Sequence, residues 1–350
     1  MDIVITHVDF DNKSWKANFN NAKIQFYNTS CNIDSISSNR FKTRGELKYI
    51  LRSIHANMEW ARCIYLVVDD SFEPPSWLTG VTIIRHSDII PLDYLPTFNS
   101  QAIETMLHKI PNISEPFLYF NDDMFVTSPV EIEDLVINDK FAVMLSDHFS
   151  KVGIPSIREI GFRSAWKNVN RLLDIFFEDT PRQKLEHCPY LISPSVMETL
   201  WKTWPIELNQ TLNSRFRNIF NVNVAPALHP WFSLHDNLAF VQSNLKTNTV
   251  YIDFNKDFEI NVGDCHFLCI EDETECEIFN QRYIKFLEKL FPESSKYEEM
   301  EPMEQQLIEE IEVQLIKEHE KHEKHEKHEE PEEPEENFIK IKKRWFNSCF

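Results

Sequence analysis

Short apolar runs, each closing on acidic or amide side chains, recur along the first third of this chain. Residues 2–8, Asp-Ile-Val-Ile-Thr-His-Val, predict a buried strand that delivers Asp9 and Asp11 to its carboxyl end. Residues 12–40 are rich in Asn and Ser with little periodicity, which predicts a long loop or an insertion. Leu47, Ile50, Leu51, Ile54 and Met58 then recur at helical spacing, with Arg44, Lys48, Arg52 and His55 on the other face. Strands follow at 63–69, ending in Asp69 and Asp70, at 81–85, and at 117–120, ending in Asn121-Asp122-Asp123; a helix over 99–110 separates the last two. This alternation predicts an α/β fold with a Rossmann-like, mainly parallel sheet and flanking helices, in which ligands bind beyond the carboxyl ends of the strands.

The second half reads differently. Residues 141–145 suggest one more strand, and 150–235 read as a mostly helical subdomain with tryptophans at 166, 201, 204 and 231. Residues 265–270 return to strand character and end in Glu271-Asp272, and a helix over 278–291 stops at Pro292. From residue 298 the composition shifts. Residues 298–336 hold 17 acidic and 4 basic side chains, including the repeated Glu-Lys-His triplets that carry His322, His325 and His328. This stretch reads as a solvated charged tail. Residues 337–350 are basic and aromatic, so a folded body of 1–297 is expected, with a tail at 298–336 and a basic C-terminus.

Composition narrows the chemistry. The chain has 5 glycines where typical usage predicts roughly 24, and none are spaced to write a phosphate-cradling loop. A nucleotide or phosphate would therefore be met by metal-bound carboxylates, basic side chains or helix N-termini. A net charge of −20 speaks against nucleic acid as a partner, although only −11 belongs to residues 1–297. No apolar run approaches the roughly 18 residues of a membrane-spanning helix, and the N-terminal residues lack a secretory pattern. Seven cysteines without a regular framework suit a reducing compartment, so a cytoplasmic protein is expected. Cys265, His266, Cys269 and Cys276 are close in sequence, but their spacing and the apolar residues between them favour a buried strand over a zinc cluster.

Three acidic clusters each follow an apolar strand: Asp9 with Asp11, Asn121-Asp122-Asp123, and Glu271-Asp272. Convergent carboxylates of this kind hold Mg²⁺ or Mn²⁺ together with phosphate oxygens, as a diphosphate substrate requires. The same acids are also compatible with helix caps or solvated turns.

Longer blocks sharpen the picture. Residues 2–9, then Arg40-Phe41, 46–54, 64–68, 75–78, 95–104 and 120–125, then His187-Cys-Pro-Tyr-Leu, Trp204-Pro205 and Arg215-Phe-Arg217, and finally Phe267-Leu-Cys-Ile-Glu-Asp272 together resemble the Stealth family of sugar-phosphate transferases. The resemblance implies transfer of a sugar 1-phosphate from a nucleotide diphosphate sugar, typically UDP-linked, to a hydroxyl of a carbohydrate or glycoconjugate acceptor. A nucleoside monophosphate leaves. It implies Asp122, Asp123 and Asp272 as ligands of Mg²⁺ or Mn²⁺, with Asp122 also catalytic, His187 as general base and Arg217 as phosphate clamp. Asp9, Asn99, Asn121 and Arg215 become candidates for substrate binding, Asn99 being equally explained as a helix cap. Arg52 is expected to pair structurally, with Glu46 or a carboxylate terminus, and Glu104 and His108 to be structural. The chain departs from the family pattern at His7, at Phe10-Asp11 and at Glu271, and its connection between the first two blocks is short. A metal-dependent glycosyltransferase and an inactive carbohydrate-binding protein are the competing classes.

Overall fold

In the computed structural model, strands β1 (Asp2–Thr6), β2 (Ile64–Val68), β3 (Thr82–Arg85) and β4 (Phe117–Phe120) lie parallel in the order β4-β1-β2-β3. The structure describes residues 1–27, 33–156, 159–178, 180–251, 262–271 and 277–299. Val4 of β1 pairs with Tyr65 on one side and Tyr119 on the other, and the residues of β2 and β4 are buried throughout. Continuous apolar runs are what a parallel strand covered on both faces requires, each large buried side chain contributing about 1.5–3 kcal/mol. The helix Glu46–Asn57 covers this layer with Leu47, Ile50, Leu51 and Ile54, as its periodicity predicts. Its C-terminal turn also bonds to β5 (Met124–Val126), through Asn57 Nδ2 to the Val126 carbonyl at 2.9 Å and Val126 N–H to Ser53 Oγ at 3.2 Å.

Beyond β5 the chain forms β6 (Val136–Ile137), β7 (Lys140–Val143), β8 (Leu145–Phe149), β9 (Gln183–Leu185), β10 (Tyr190–Ile192), β11 (Ala239–Val241), β12 (Thr247–Tyr251) and β13 (Phe267–Glu271). Strand β10 adds antiparallel to the edge of the main sheet beside β4, with Leu191 opposite Leu118. β13 pairs antiparallel with β5, setting Cys269 opposite Met124, and parallel with β12.

Three expectations are corrected. Residues 12–40 are not simply a loop: Lys13–Tyr27 is a helix, seated by Trp15, Phe19 and Ala22 in an aromatic cluster with Phe98 and Phe216. Spacings of four and three place these apolar residues on one face, and the intervening Asn and Lys residues mask that stripe in composition. The helix expected over 99–110 is two short pieces, Ser100–Glu104 and Leu107–Lys109, because Thr105 Oγ1 donates back to the Ala102 carbonyl at 2.7 Å and turns the chain. The stretch 150–235 is helical at Gly161–Phe176, Pro194–Thr203, Pro205–Leu212 and His229–His235, yet it also supplies β9, which pairs with β8, and β10, which joins the main sheet.

Met1–Glu299 form one compact unit. Arg52 does not bond Glu46. It grips Glu298 instead, Nε to Oε1 at 2.9 Å and Nη2 to Oε2 at 2.8 Å, and Lys48 Nζ approaches Glu298 at 3.2 Å. The acidic stretch beyond Glu299, with its His triplets, and the basic residues 337–350 lie outside the described residues. Among the described residues no helix is long and apolar enough to cross a membrane.

Candidate active site

The turn Asn121-Asp122-Asp123 joins β4 of the main sheet to β5 of the second, so both sheets fix it. The Asp123 carbonyl accepts from Ile270 N–H at 3.1 Å, and Asn121 N–H points to Met124 Sδ at 3.4 Å. The β5-β13 ladder then brings Cys269 and Glu271 alongside Asp123. His187 arrives from the connection between β9 and β10, which the β10-β4 ladder anchors. Its Nε2 lies 3.7 Å from Asp123 Oδ2 and its Nδ1 3.7 Å from Glu271 Oε1. Burial alone favours a neutral imidazole, but the two carboxylates outweigh it and raise the His187 pKa.

A third wall comes from Gly45, whose φ of +85° lets the chain turn into the helix that starts with Glu46. The Glu46 carboxylate accepts from the Arg44 N–H. Burial, reinforced by Asp123 and Glu46, pushes the Asp122 carboxyl up to about 8, and burial pushes Glu46 up to about 7 against the pull of Arg44. Such crowding of acids is relieved when a cation joins them. The donor set fits a divalent ion, since ligand atoms of Asp123, His187 and Cys269 all lie within 4.8 Å of one another.

Arg217 lies within electrostatic reach of His187. Its Nη2 donates to Ser100 Oγ at 2.5 Å, and burial lowers its pKa to about 9 while Glu104 opposes that shift. Glu104, one turn after Ser100 on the helix Ser100–Glu104, accepts from Ala225 N–H at 3.2 Å; burial raises its pKa to about 7 despite the nearby Arg217. A Cβ on Gly161 would stand 3.0 Å from Arg217 Cβ, so the glycine lets this arginine settle against the helix Gly161–Phe176. The two halves sense each other: Tyr119, hydrogen-bonded to Thr6 Oγ1 at 3.1 Å, has its pKa raised by burial first and then by Glu104 and Asp122, with Arg217 opposing.

The structure therefore gathers Asp122, Asp123 and His187, and sets Arg217 within electrostatic reach of His187. Asn99 is buried and fully engaged: its Oδ1 caps Gln101 N–H at 3.2 Å, and its Nδ2 donates to the Ser214 carbonyl and to Asn221 Oδ1. Arg215 braces the neighbouring loop through Nη1 to the Pro96 carbonyl at 3.3 Å and its own carbonyl to Phe98 N–H. Asp9 holds its turn by accepting from Asp11 N–H at 3.1 Å. His7 is half-buried, edge-on to Phe72, and desolvation lowers its pKa to about 4, so it is neutral. Asp272 lies outside the described residues, as does Cys276. Cys265 and His266 turn elsewhere, to Thr127 and to Lys246 N–H. Sequence reasoning did not single out Glu46, Cys269 or Glu104 for the site; the one local signal was the isolated Gly45 before Glu46.

Known proteins resemble this chain in sequence. The sequence model of Stealth protein conserved region 2 matches residues 40–144, and that of conserved region 3 matches residues 186–238. The capsular polysaccharide phosphotransferase SacB of Neisseria meningitidis serogroup A is 31% identical over 319 residues, covering 85% of this chain and 57% of that protein. The exopolysaccharide phosphotransferase SCO2594 of Streptomyces coelicolor is 30% identical over 317 residues, covering 85% of this chain and 51% of its own length. The chain thus spans about half the length of these curated relatives. Among solved structures, galactosyltransferase LgtC in complex with donor and acceptor sugar analogues aligns at 8% identity with a TM-score of 0.43, over 83% of this chain and 96% of that one. Region 2 carries Glu46, Arg52, Asp122 and Asp123, and region 3 carries His187, Arg215 and Arg217; with both regions present in order and folded onto one rim, the chain belongs to the Stealth family.

Proposed function

We propose that the chain transfers a sugar 1-phosphate from a nucleotide diphosphate sugar, of the UDP-hexose or UDP-N-acetylhexosamine kind, to a hydroxyl of a carbohydrate acceptor. The observation that carries this reading is His187, set between Asp123 and Glu271 at 3.7 Å from each. An imidazole so placed can take the acceptor proton, and the flanking carboxylates stabilise the imidazolium that forms. The acceptor oxygen then bonds to the phosphorus next to the donor sugar, and the phosphoanhydride bond to the departing nucleoside monophosphate breaks. Arg217, held by Ser100 and faced by Glu104, presents its fork to the phosphoryl oxygens. Asp122 and Asp123, with Asp272 by family resemblance, would hold Mg²⁺ or Mn²⁺, which supplies charge neutralisation at the diphosphate. Asn121 and Asp9 line the donor edge beyond the strand ends, where α/β sheets bind nucleotides. The free thiols Cys63, Cys188, Cys265 and Cys269 support a reducing, cytoplasmic setting.

The test is product identity. Purified protein with UDP-N-acetylglucosamine, Mg²⁺ and an acceptor sugar releases UMP on this reading; release of UDP would mark glycosyl transfer, and no release across a donor panel would exclude both.

A further inference from the structure

We propose that Asp123, His187 and Cys269 form a thiophilic metal site that takes Zn²⁺ and, by occupying His187 and Asp123, inhibits the transfer reaction. Cys269 has no part in the chemistry above, yet β13 aims its thiol at the reacting cluster from a fully buried position. Asp123 Oδ1 and His187 Nε2 are both shielded from solvent without a hydrogen-bond partner, and Nε2 faces the other Asp123 oxygen, Oδ2. The 3.7 Å between His187 Nε2 and Asp123 Oδ2 is too long for a hydrogen bond. It is close to the spacing of about 3.3–3.6 Å between two ligand atoms on one tetrahedral zinc, given Zn–N and Zn–O bonds of about 2.0–2.2 Å. Side-chain rotation of about 1 Å closes the remaining gaps within the 4.8 Å cluster.

The chemistry of the donors selects the ion. Mg²⁺ demands oxygen ligands, whereas a set of thiolate, imidazole and carboxylate suits zinc and leaves a fourth position for water or phosphate. Glu271 completes the arrangement. With Nε2 on the metal, Nδ1–H of His187 faces the Glu271 carboxylate at 3.7 Å, the partnership that orients metal-bound histidines. Cysteine gives up its proton to bulk solvent on binding, and no oxidation is involved. The site shares Asp123 with the Mg²⁺ or Mn²⁺ position and captures His187 by the nitrogen that faces it, so the zinc-loaded protein cannot deprotonate the acceptor. The inhibitory consequence rests on the transferase reading; the binding does not.

The full chain, stripped with a chelator, is titrated with Co²⁺ as a spectroscopic stand-in. The expected result is a thiolate-to-cobalt charge-transfer band in the near ultraviolet at one equivalent, abolished by one equivalent of Zn²⁺. Cys269→Ser and His187→Gln, each checked by thermal melting, lose the band, while Cys265→Ser retains it. Glu271→Gln weakens Zn²⁺ binding about 10- to 100-fold. A wild-type protein without the band, or the band undiminished in Cys269→Ser or, should that variant not fold, in His187→Gln, overturns the site. Zn²⁺ at one equivalent then stops UMP release in excess Mg²⁺; undiminished release with the band present overturns the inhibition while leaving the transferase reading intact. A band without any turnover, with or without zinc, tells against the transferase reading alone.

Discussion

Arg52 and Glu298 form a bidentate ion pair across 246 residues of sequence, with both side chains nearly buried. The pair ties the helix Glu46–Asn57 to the last described segment of the compact unit. Burial opposes ionisation of Glu298, yet Arg52 and the Ser295 N–H hold its carboxyl down at about 2. Because the folded value lies below the ordinary glutamate value of 4.5, this stabilisation is present in full above about pH 4.5 and disappears as pH falls through about 2. Arg52→Ala is expected to cost about 1.5–3 kcal/mol at pH 7, and the gap from wild type in urea melts should narrow towards pH 2. An unchanged gap at low pH would remove Glu298 as the source.

His187→Gln keeps a polar side chain but removes the imidazole proposed to act as the base. UMP release should fall about 10²- to 10⁴-fold in kcat with little change in KM for the donor. A change confined to KM would assign His187 to substrate binding instead.

Arg217→Lys retains a positive charge but lacks the planar fork and the bond to Ser100. A loss of about 10²- to 10³-fold in kcat is expected. The neighbouring Gly161→Ala acts indirectly, since its new Cβ meets Arg217 Cβ at 3.0 Å and pushes the arginine by a few tenths of an ångström. Activity should drop by up to about 10²-fold with the melting temperature nearly retained. Steady-state kinetics beside thermal melts of both variants check the pair.

Trp15 stacks on Phe19 at 5.1 Å between ring centroids and meets Phe98 edge-on at 5.3 Å. Phe98 precedes Asn99-Ser100, and Phe216, in the same cluster, precedes Arg217. Trp15→Ala should cost about 3–5 kcal/mol in denaturant melts and lower transfer activity through Ser100 and Arg217. Full activity in a destabilised variant would confine the cluster to a structural role.

Much of the scaffold is written locally. The apolar runs of β1, β2 and β4 and the heptad-like face of Leu47, Ile50, Leu51 and Ile54 determine parallel strands and a covering helix, since the periodicity of a chain is visible without its partners. The same runs determine that Asp9 and Asn121-Asp122-Asp123 stand at strand ends, and family blocks supply His187 and Arg217. What surrounds those residues was decided only in three dimensions. Glu46 crowds Asp122 from 76 positions away, Cys269 and Glu271 reach Asp123 and His187 through the β5-β13 ladder, and β10 reverses to close the sheet edge. The helix Lys13–Tyr27 is recognisable by the aromatic cluster that seats it more than by its own composition. The physical reason is common to all of these: pairing, burial and charge crowding are energies between segments distant in sequence, and a carboxyl such as Glu46 becomes perturbed only once the fold has removed its water and set other acids beside it.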